Sequence, residues 1–197
     1  MSWISWFVSD SNRIVATATF LVAVAAIAQF ELSRRTAQRQ LRAYVSILGA
    51  DLIDGSNINP PLPVDRTDQV GVLIGIKNTG QTPARDALHW GNLEVATPDR
   101  EFAMTAPSPI RRESISYLPS QGINTKGLWL NRPLSDQEKK DIQTGVRCVF
   151  LYGRIEYVDV FKKKRWSTYR LHYRNSAWPP YGGKGVMNFC DTGNEAS

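Results

Sequence analysis

The sequence has few of the residues that usually bind metal ions or act as nucleophiles. Among 197 residues there are only two cysteines and two histidines. No Cys-x-x-Cys or His-x-x-x-His pair occurs, so the closely spaced ligands of a typical zinc site are missing. The Gly-x-Ser-x-Gly and Walker sequences are missing as well. These absences predict a protein that is not an enzyme, with no catalytic residue, no cofactor and no metal ligand.

The two cysteines leave one enzymatic alternative open. Cys190 or Cys148 could act as a nucleophile with His172 as its base. Cys148 lies in the apolar run RCVFLYG, where a cysteine is expected to be a small core residue. In an oxidising compartment the two cysteines could pair as a disulfide, whereas in the cytoplasm they should remain thiols.

Glycine, proline and charge are all missing from one stretch near the N-terminus. Residues 14–30, IVATATFLVAVAAIAQF, are uncharged throughout. As a helix they would extend about 26 Å, close to the roughly 30 Å of a hydrocarbon core. Because a helix that is apolar on every side needs an apolar environment all round, we predict a transmembrane helix over 14–30. It follows a short N-terminal tail over 1–13.

Two other interpretations of this run stay open. The first is a cleaved signal peptide, since Ala26-Ile27-Ala28 has the small residues of a cleavage site. The positive charge expected before such a run is limited here to Arg13 and the terminal amine. The second is a helix that is buried inside a soluble domain.

Basic residues follow the apolar run with little opposition from acids. They lie in a predicted juxtamembrane basic helix over 31–42, whereas upstream only Arg13 is basic and Asp10 offsets it. Cytoplasmic flanks are enriched in Lys and Arg, so we predict a single-pass inner-membrane protein with a cytoplasmic C-terminal domain. Anionic lipid headgroups are candidate partners of this flank. The membrane anchor flank consists of Arg34, Arg35, Arg39 and Arg42.

Beyond residue 42 the hydrophobic pattern changes from continuous to alternating. Short β-rich runs separated by Gly, Pro and Asn favour strands, and no strand alternates with a long helix. One short helix is expected at 134–145, where Ser135 and Glu138 form a capping box and Gly145 ends the helix. The segment 84–96 is either a strand or an irregular crossover. Strands are predicted at 43–53, 70–78, 146–160 and 166–174, the last two as a hairpin.

This pattern predicts a mainly β fold. We expect an Ig-like antiparallel β-sandwich over 43–174, with one short helix, and an irregular C-terminal tail over 175–197. The stretch Asn78-Thr79-Gly80 is expected to be a turn, because Asn and Gly tolerate positive φ and Pro83 keeps its neighbour extended. A phosphate-binding loop would need more glycines before a helix.

The run Lys162-Lys163-Lys164-Arg165 is the most distinctive surface feature of the sequence. It lies between the two strands of the predicted hairpin, next to Phe161 and Trp166. It is interpreted first as a solvated tip whose lysines prevent edge pairing. The alternatives are an anionic-partner surface that binds lipid headgroups or single-stranded nucleic acid. Nucleic acid is the less favoured partner, since the net charge of +6 belongs largely to the arginine cluster.

Four segments together resemble a family of proteins. RAYV after the apolar helix, KNTGQTPARD, GRIEYVDVFKKKRWSTYR and the late FCDTGNEA are similar to segments of uncharacterised bacterial single-pass membrane proteins with an Ig-like β-sandwich domain. The resemblance implies architecture and membrane placement, and it implies no activity. The expected function is a membrane-anchored, non-enzymatic interaction module with an unidentified protein partner.

Overall fold

The structure is a computed structural model that describes residues 3–55, 69–102, 113–114, 117–174 and 184–197. Side chains are described from residue 15 onward, except at 113–114. The chain divides into two units, Met1–Leu41 and Arg42–Ser197. We call the second unit the β-domain.

The first unit is one long helix, α1 (Trp3–Leu41). Its apolar side chains are exposed, for example Phe20 at 68% and Ile27 at 66%, so a helix buried in a soluble domain is not what the structure shows. The segment Val15–Leu41 is long and apolar enough to cross a membrane, and a signal sequence would share these properties. The helix begins within the predicted tail over 1–13, because that segment contains neither Gly nor Pro to end it.

The β-domain consists of two antiparallel sheets. The smaller sheet has the strand order β6-β2-β1-β9, and the larger has the order β10-β8-β7-β3-β4, with β5 also pairing with β3. The mainly β prediction is confirmed at this level. The elements are β1 (Val45–Asp54), β2 (Val70–Asn78), β3 (Ala84–Ala96), β4 (Glu113–Ser114), β5 (Tyr117–Leu118), β6 (Ile123–Trp129), α2 (Asp136–Thr144), β7 (Cys148–Val158), β8 (Lys164–Tyr173), β9 (Lys184–Val186) and β10 (Asn188–Phe189).

Alternation along the strands separates the core from the surface. Val72 and Ile74 of β2 pack in one core with Leu151 of β7 and Leu171 of β8, and all four are fully buried. The residues between them face away from this core, as period-2 geometry requires. The outer face of β7 and β8 therefore carries a different set of side chains, which includes Cys148 and His172.

Several local predictions are confirmed in detail. Strand β2 has the predicted bounds, and the segment 84–96 is a regular strand. The capping box of α2 is present, with the Ser135 hydroxyl accepting from the backbone N–H of Glu138. Gly145 ends the helix in the left-handed region, at φ 76°. Strands β7 and β8 form the predicted hairpin.

The prediction of an irregular C-terminal tail is wrong for residues 184–189. Lys184–Val186 forms β9 and pairs with β1, and Asn188–Phe189 forms β10 and pairs with β8. Both segments are too short to show a hydrophobic period. They become strands because β1 and β8 would otherwise present unpaired backbone groups. Residues 175–183 of that tail lie outside the described residues.

Candidate functional site

Two regions of the β-domain carry most of the residues that the sequence analysis singled out. One is the end of the domain that begins at Arg42, directly after the last residue of α1. This proximal end contains residues 42–45, the turn 78–80 and the hairpin tip 159–163. The other region is a pocket on the outer face of the larger sheet.

Asn78 organises the proximal end and has no exposed surface. Its side-chain oxygen accepts from the backbone N–H of Tyr44 at 3.2 Å and of Gly80 at 3.0 Å. Its amide nitrogen donates to the carbonyl oxygens of Thr82, Leu118 and Pro119. A side chain at Gly80 would collide with the backbone of Arg42. The segment is therefore a structural turn, as predicted.

The start of β1 is held by two further side chains. The Tyr157 hydroxyl donates to the carbonyl oxygen of Ala43 at 3.2 Å and accepts from the N–H of Val45 at 3.4 Å. The Ser167 hydroxyl donates to the carbonyl oxygen of Val45 at 2.7 Å. Burial raises the pKa of Tyr157, which keeps this phenol neutral. The segments RAYV, NTGQTPA and GRIEYVD thus meet at one place.

The hairpin tip is built around a buried carboxylate. The side chain of Asp159 has no exposed surface and accepts from the N–H groups of Phe161 and Lys163, both at 2.9 Å. It also forms an ion pair with Arg165, at 3.2 Å between Nε and Oδ2. Lys162 has a positive φ of 61°, which closes the turn. The three lysine side chains of the tip are exposed.

The pocket forms where β8 lies between β7 and β10. Its floor is the outer face of this sheet, with Phe150 on β7 and with Arg170 and His172 on β8. Residues 98–101 and 189–192 form its walls, and the pocket has a volume of about 380 Å³. We call it the arginine pocket, because Arg100, Arg170 and Arg174 all line it.

Arg170 is clamped in the floor of the arginine pocket. Its guanidinium lies 5.0 Å from the ring centre of Phe102 and 5.2 Å from that of Phe150. It donates to the carbonyl oxygen of Arg100 at 2.6 Å, while Arg100 itself pairs with Glu94 at 3.0 Å. Acidic residues also line the pocket, but they are exposed at its rim, so the buried floor is the positively charged part. These rim acids are Asp99, Glu101 and Asp191.

Cys190 and His172 are brought together in this pocket. The backbone N–H of Cys190 donates to the carbonyl oxygen of Arg170, which places the Sγ of Cys190 at 3.4 Å from the Nδ1 of His172. This is the pair that the sequence offered as an enzymatic alternative. Cys148 lines the same pocket and is buried, as predicted.

Electrostatics keep the pair neutral. Burial raises the pKa of Cys190; Asp191 and Cys148 add to this rise, and Arg170 opposes it. Burial lowers the pKa of His172, and Arg174 and Arg170 lower it further. A nucleophilic cysteine needs the opposite, a thiolate beside an imidazolium. The geometry therefore provides a contact between a thiol and an imidazole without the charge separation that would activate the thiol.

The register of the strands places the two cysteines too far apart for a disulfide. Val149 pairs with Tyr173, so Cys148 lies level with Arg174, whereas Cys190 binds the backbone of Arg170. Four residues along a strand span about 13 Å, and disulfide-bonded Cα atoms lie within about 7 Å. Both cysteines are free thiols in the structure. The expected disulfide in an oxidising compartment is therefore excluded without a rearrangement of β10.

The second histidine has a structural role. His89 is 1% exposed, and its Nε2 lies 2.6 Å from the hydroxyl of Tyr169. Burial raises the pKa of Tyr169, so this phenol stays neutral beside the ring. Within the described part of the chain, no group of three His, Cys, Asp or Glu side chains could hold a metal ion.

The arginines of the anchor flank divide between the two units. Arg34 lies 3.8 Å from Glu31 on the exposed surface of α1. Arg35 and Arg39 also belong to the last turns of this helix, which ends one residue before Arg42. Arg42 begins the β-domain, and its guanidinium lies 4.3 Å from the ring centre of Tyr44.

Sequence reasoning missed the three arginines of the pocket. Alternation along β8 was a usable signal for Arg170 and Arg174, since both share a strand face with His172. No such signal identifies Arg100 or Phe102, because the segment that covers the sheet follows no period. Comparison with known protein families, with curated proteins and with solved structures finds no match for this chain.

Proposed function

We propose that this protein is a membrane-anchored, non-enzymatic interaction module. Its anchor is α1, and its β-domain binds an anionic group of a protein partner in the arginine pocket. The observation that carries the proposal is the pocket floor, where a guanidinium held between two aromatic rings lies beside a neutral imidazole and a neutral thiol. Such a floor favours binding of a negative charge over nucleophilic chemistry.

Membrane placement belongs to this proposal. The exposed apolar surface of α1 needs an apolar environment, and the arginines after it favour the cytoplasm for the β-domain. The Ig-like class of the β-domain is likewise part of the proposal, supported by two antiparallel sheets around one core. A fusion of alkaline phosphatase to the C-terminus is expected to be inactive, and strong activity would place the domain outside.

Site-specific photo-crosslinking in cells tests the arginine pocket. Phe189 lines the pocket and is 49% exposed, so a benzoylphenylalanine there keeps an aromatic ring in place. We expect one crosslinked partner, and Arg174→Glu should lower its yield about tenfold because it reverses a charge of the site. Lys140→Glu, an exposed reversal on α2, is the matched control and should leave the yield unchanged. A yield that Arg174→Glu does not alter would refute binding through this pocket.

A second function, a cysteine-dependent enzyme, is favoured only by the 3.4 Å contact between Cys190 and His172. The rate of alkylation of Cys190 by iodoacetamide against pH separates the two functions. For a binding module the rate should be low at neutral pH and rise only in the alkaline range, because burial raises the pKa of this thiol. A rate that is already at its plateau below neutral pH would show a thiolate and would favour the enzyme.

A further inference from the structure

The hairpin tip and the start of the β-domain lie at the same end of the molecule. Hydrogen bonds from Tyr157 and Ser167 hold β7 and β8 beside residues 43–45. The tip continues beyond Tyr157, and Arg42 precedes Ala43, so both extend from this level in one direction. Arg42 is bonded directly to Leu41, the last residue of α1.

Basic residues from four different segments meet at this proximal end. Besides Arg42 and the tip, β2 supplies Lys77, which pairs with Ser46, and β3 supplies Arg85, which pairs with Val158. The nearby acids are fewer: Asp86 is exposed, whereas Asp159 is buried and paired with Arg165. The exposed basic set consists of Arg42, Lys77, Arg85, Lys162, Lys163 and Lys164.

Apolar and aromatic side chains are exposed among these charges. Tyr117 is 56% exposed opposite Arg85, and Ile123 is 60% exposed opposite Lys77. Val160 is 42% exposed within the tip itself. Tyrosine and aliphatic groups beside Lys and Arg are the composition of surfaces that lie at a membrane interface.

The helix limits how far this end can lie from a membrane that α1 spans. Residues 31–41 add eleven helical residues after the apolar run, which extend at most about 16 Å. The headgroup layer takes about 5–8 Å of this on one side of the bilayer. The remainder is about one Debye length at physiological ionic strength, before the length of the lysine side chains is counted.

We propose that the proximal end docks onto anionic lipid headgroups of the membrane in which α1 is anchored. The inference rests on the membrane placement in the proposed function, and it is independent of the arginine pocket. Docking would fix the direction of the β-domain. On β8, His172 lies seven residues beyond Arg165, about 23 Å along the strand. The arginine pocket would thus be held away from the lipid, where a partner has access to it.

The aromatic residues near the tip favour lipid over single-stranded nucleic acid. Nucleic-acid surfaces of this kind stack bases on exposed rings. Tyr169 is 2% exposed, and the ring of Trp166 is covered by the guanidinium of Arg154 at 4.8 Å. The lysines therefore supply charge next to rings that are already occupied, which suits headgroup phosphates better than bases.

Docking is measured on the full-length chain in nanodiscs. A fluorophore sensitive to its environment is attached at Val160→Cys, in a background with Cys148→Ala and Cys190→Ser. Discs of phosphatidylcholine alone are compared with discs that also contain phosphatidylglycerol, and quenching by headgroup spin labels reports contact. Each lysine near an anionic surface is expected to favour docking about fivefold. Lys163→Glu with Lys164→Glu should therefore lower the docked-to-undocked ratio at least 25-fold.

The matched control carries the same two charge reversals at the other end of the domain, Lys139→Glu with Lys140→Glu on α2. It should keep the quenching of the parent chain, and added salt should abolish the difference between the two disc types. Equal quenching in both discs, or quenching that the tip reversals leave unchanged, would overturn the docking. Binding of a single-stranded oligonucleotide that only the tip reversals abolish, without a lipid effect, would overturn it in favour of nucleic acid. A chain that washes out of the discs would refute the membrane placement itself.

Discussion

The two ends of the β-domain use polar side chains in opposite ways. At the proximal end, Asn78, Tyr157 and Asp159 are buried and direct their hydrogen bonds mainly to backbone groups. In the arginine pocket, His172 and Cys190 contact each other at the surface of an open cavity. The residues that look like motifs in the sequence therefore stabilise the fold, whereas the candidate site is made of residues that form no motif.

The largest expected effect is at the proximal end. Asn78→Ala would leave five hydrogen bonds unmade and buried partners unsatisfied, so the free energy of unfolding should fall by about 3 kcal/mol or more. Chemical denaturation of the full chain in detergent measures this. Asn131→Ala, at an exposed position, should change the stability by less than about 0.5 kcal/mol. Equal effects of the two substitutions would remove the distinction between the ends.

A smaller effect is expected at α2, which lies beyond the arginine pocket. The hydrogen bond from Arg132, at 2.6 Å, holds the pKa of Glu138 at about 2, below its usual 4.5. Since the folded pKa is lowered, this stabilisation is complete above about pH 4.5 and is lost as the pH falls towards 2. Glu138→Gln should cost about 2 kcal/mol at neutral pH and flatten the acid limb of the stability curve. An acid limb that survives this substitution would assign it to other carboxyl groups.

The smallest effect on stability is expected inside the arginine pocket. Cys190 is half-buried and its main contact is His172, so Cys190→Ser should change the free energy of unfolding by less than about 1 kcal/mol. The same substitution should alter partner crosslinking at position 189, if the pocket is the binding site. A loss of stability comparable to that of Asn78→Ala would show that the thiol supports the fold.

Much of the fold follows from local patterns. The alternation of Val72, Ile74 and Ile76 fixes β2 and its buried face, and Ser135 with Glu138 fixes the start of α2. These predictions succeed because period and capping are properties of a few neighbouring residues. Strands β9 and β10 could not be predicted, since each depends on a free edge that another strand provides.

The pocket could be predicted only in part. The sequence offered Cys190 with His172, and the tertiary structure places them in contact. It could not give the distance between the two cysteines, because that distance depends on the strand register of β7, β8 and β10. Nor could it give the neutral state of the pair, because the burial that shifts both pKa values comes partly from the segment around Phe102.

By itself, the sequence determined an apolar helix, a mainly β domain after residue 42, a structural turn at Asn78 and a basic hairpin tip. Each is encoded by residues close together in the chain, where hydrophobic period and backbone preferences act. Only the tertiary structure decided that this tip shares an end with the exit from α1, and that three arginines meet at one thiol and one imidazole. Those relations depend on which strands pair and in which register, and pairing is set by burial of the whole core.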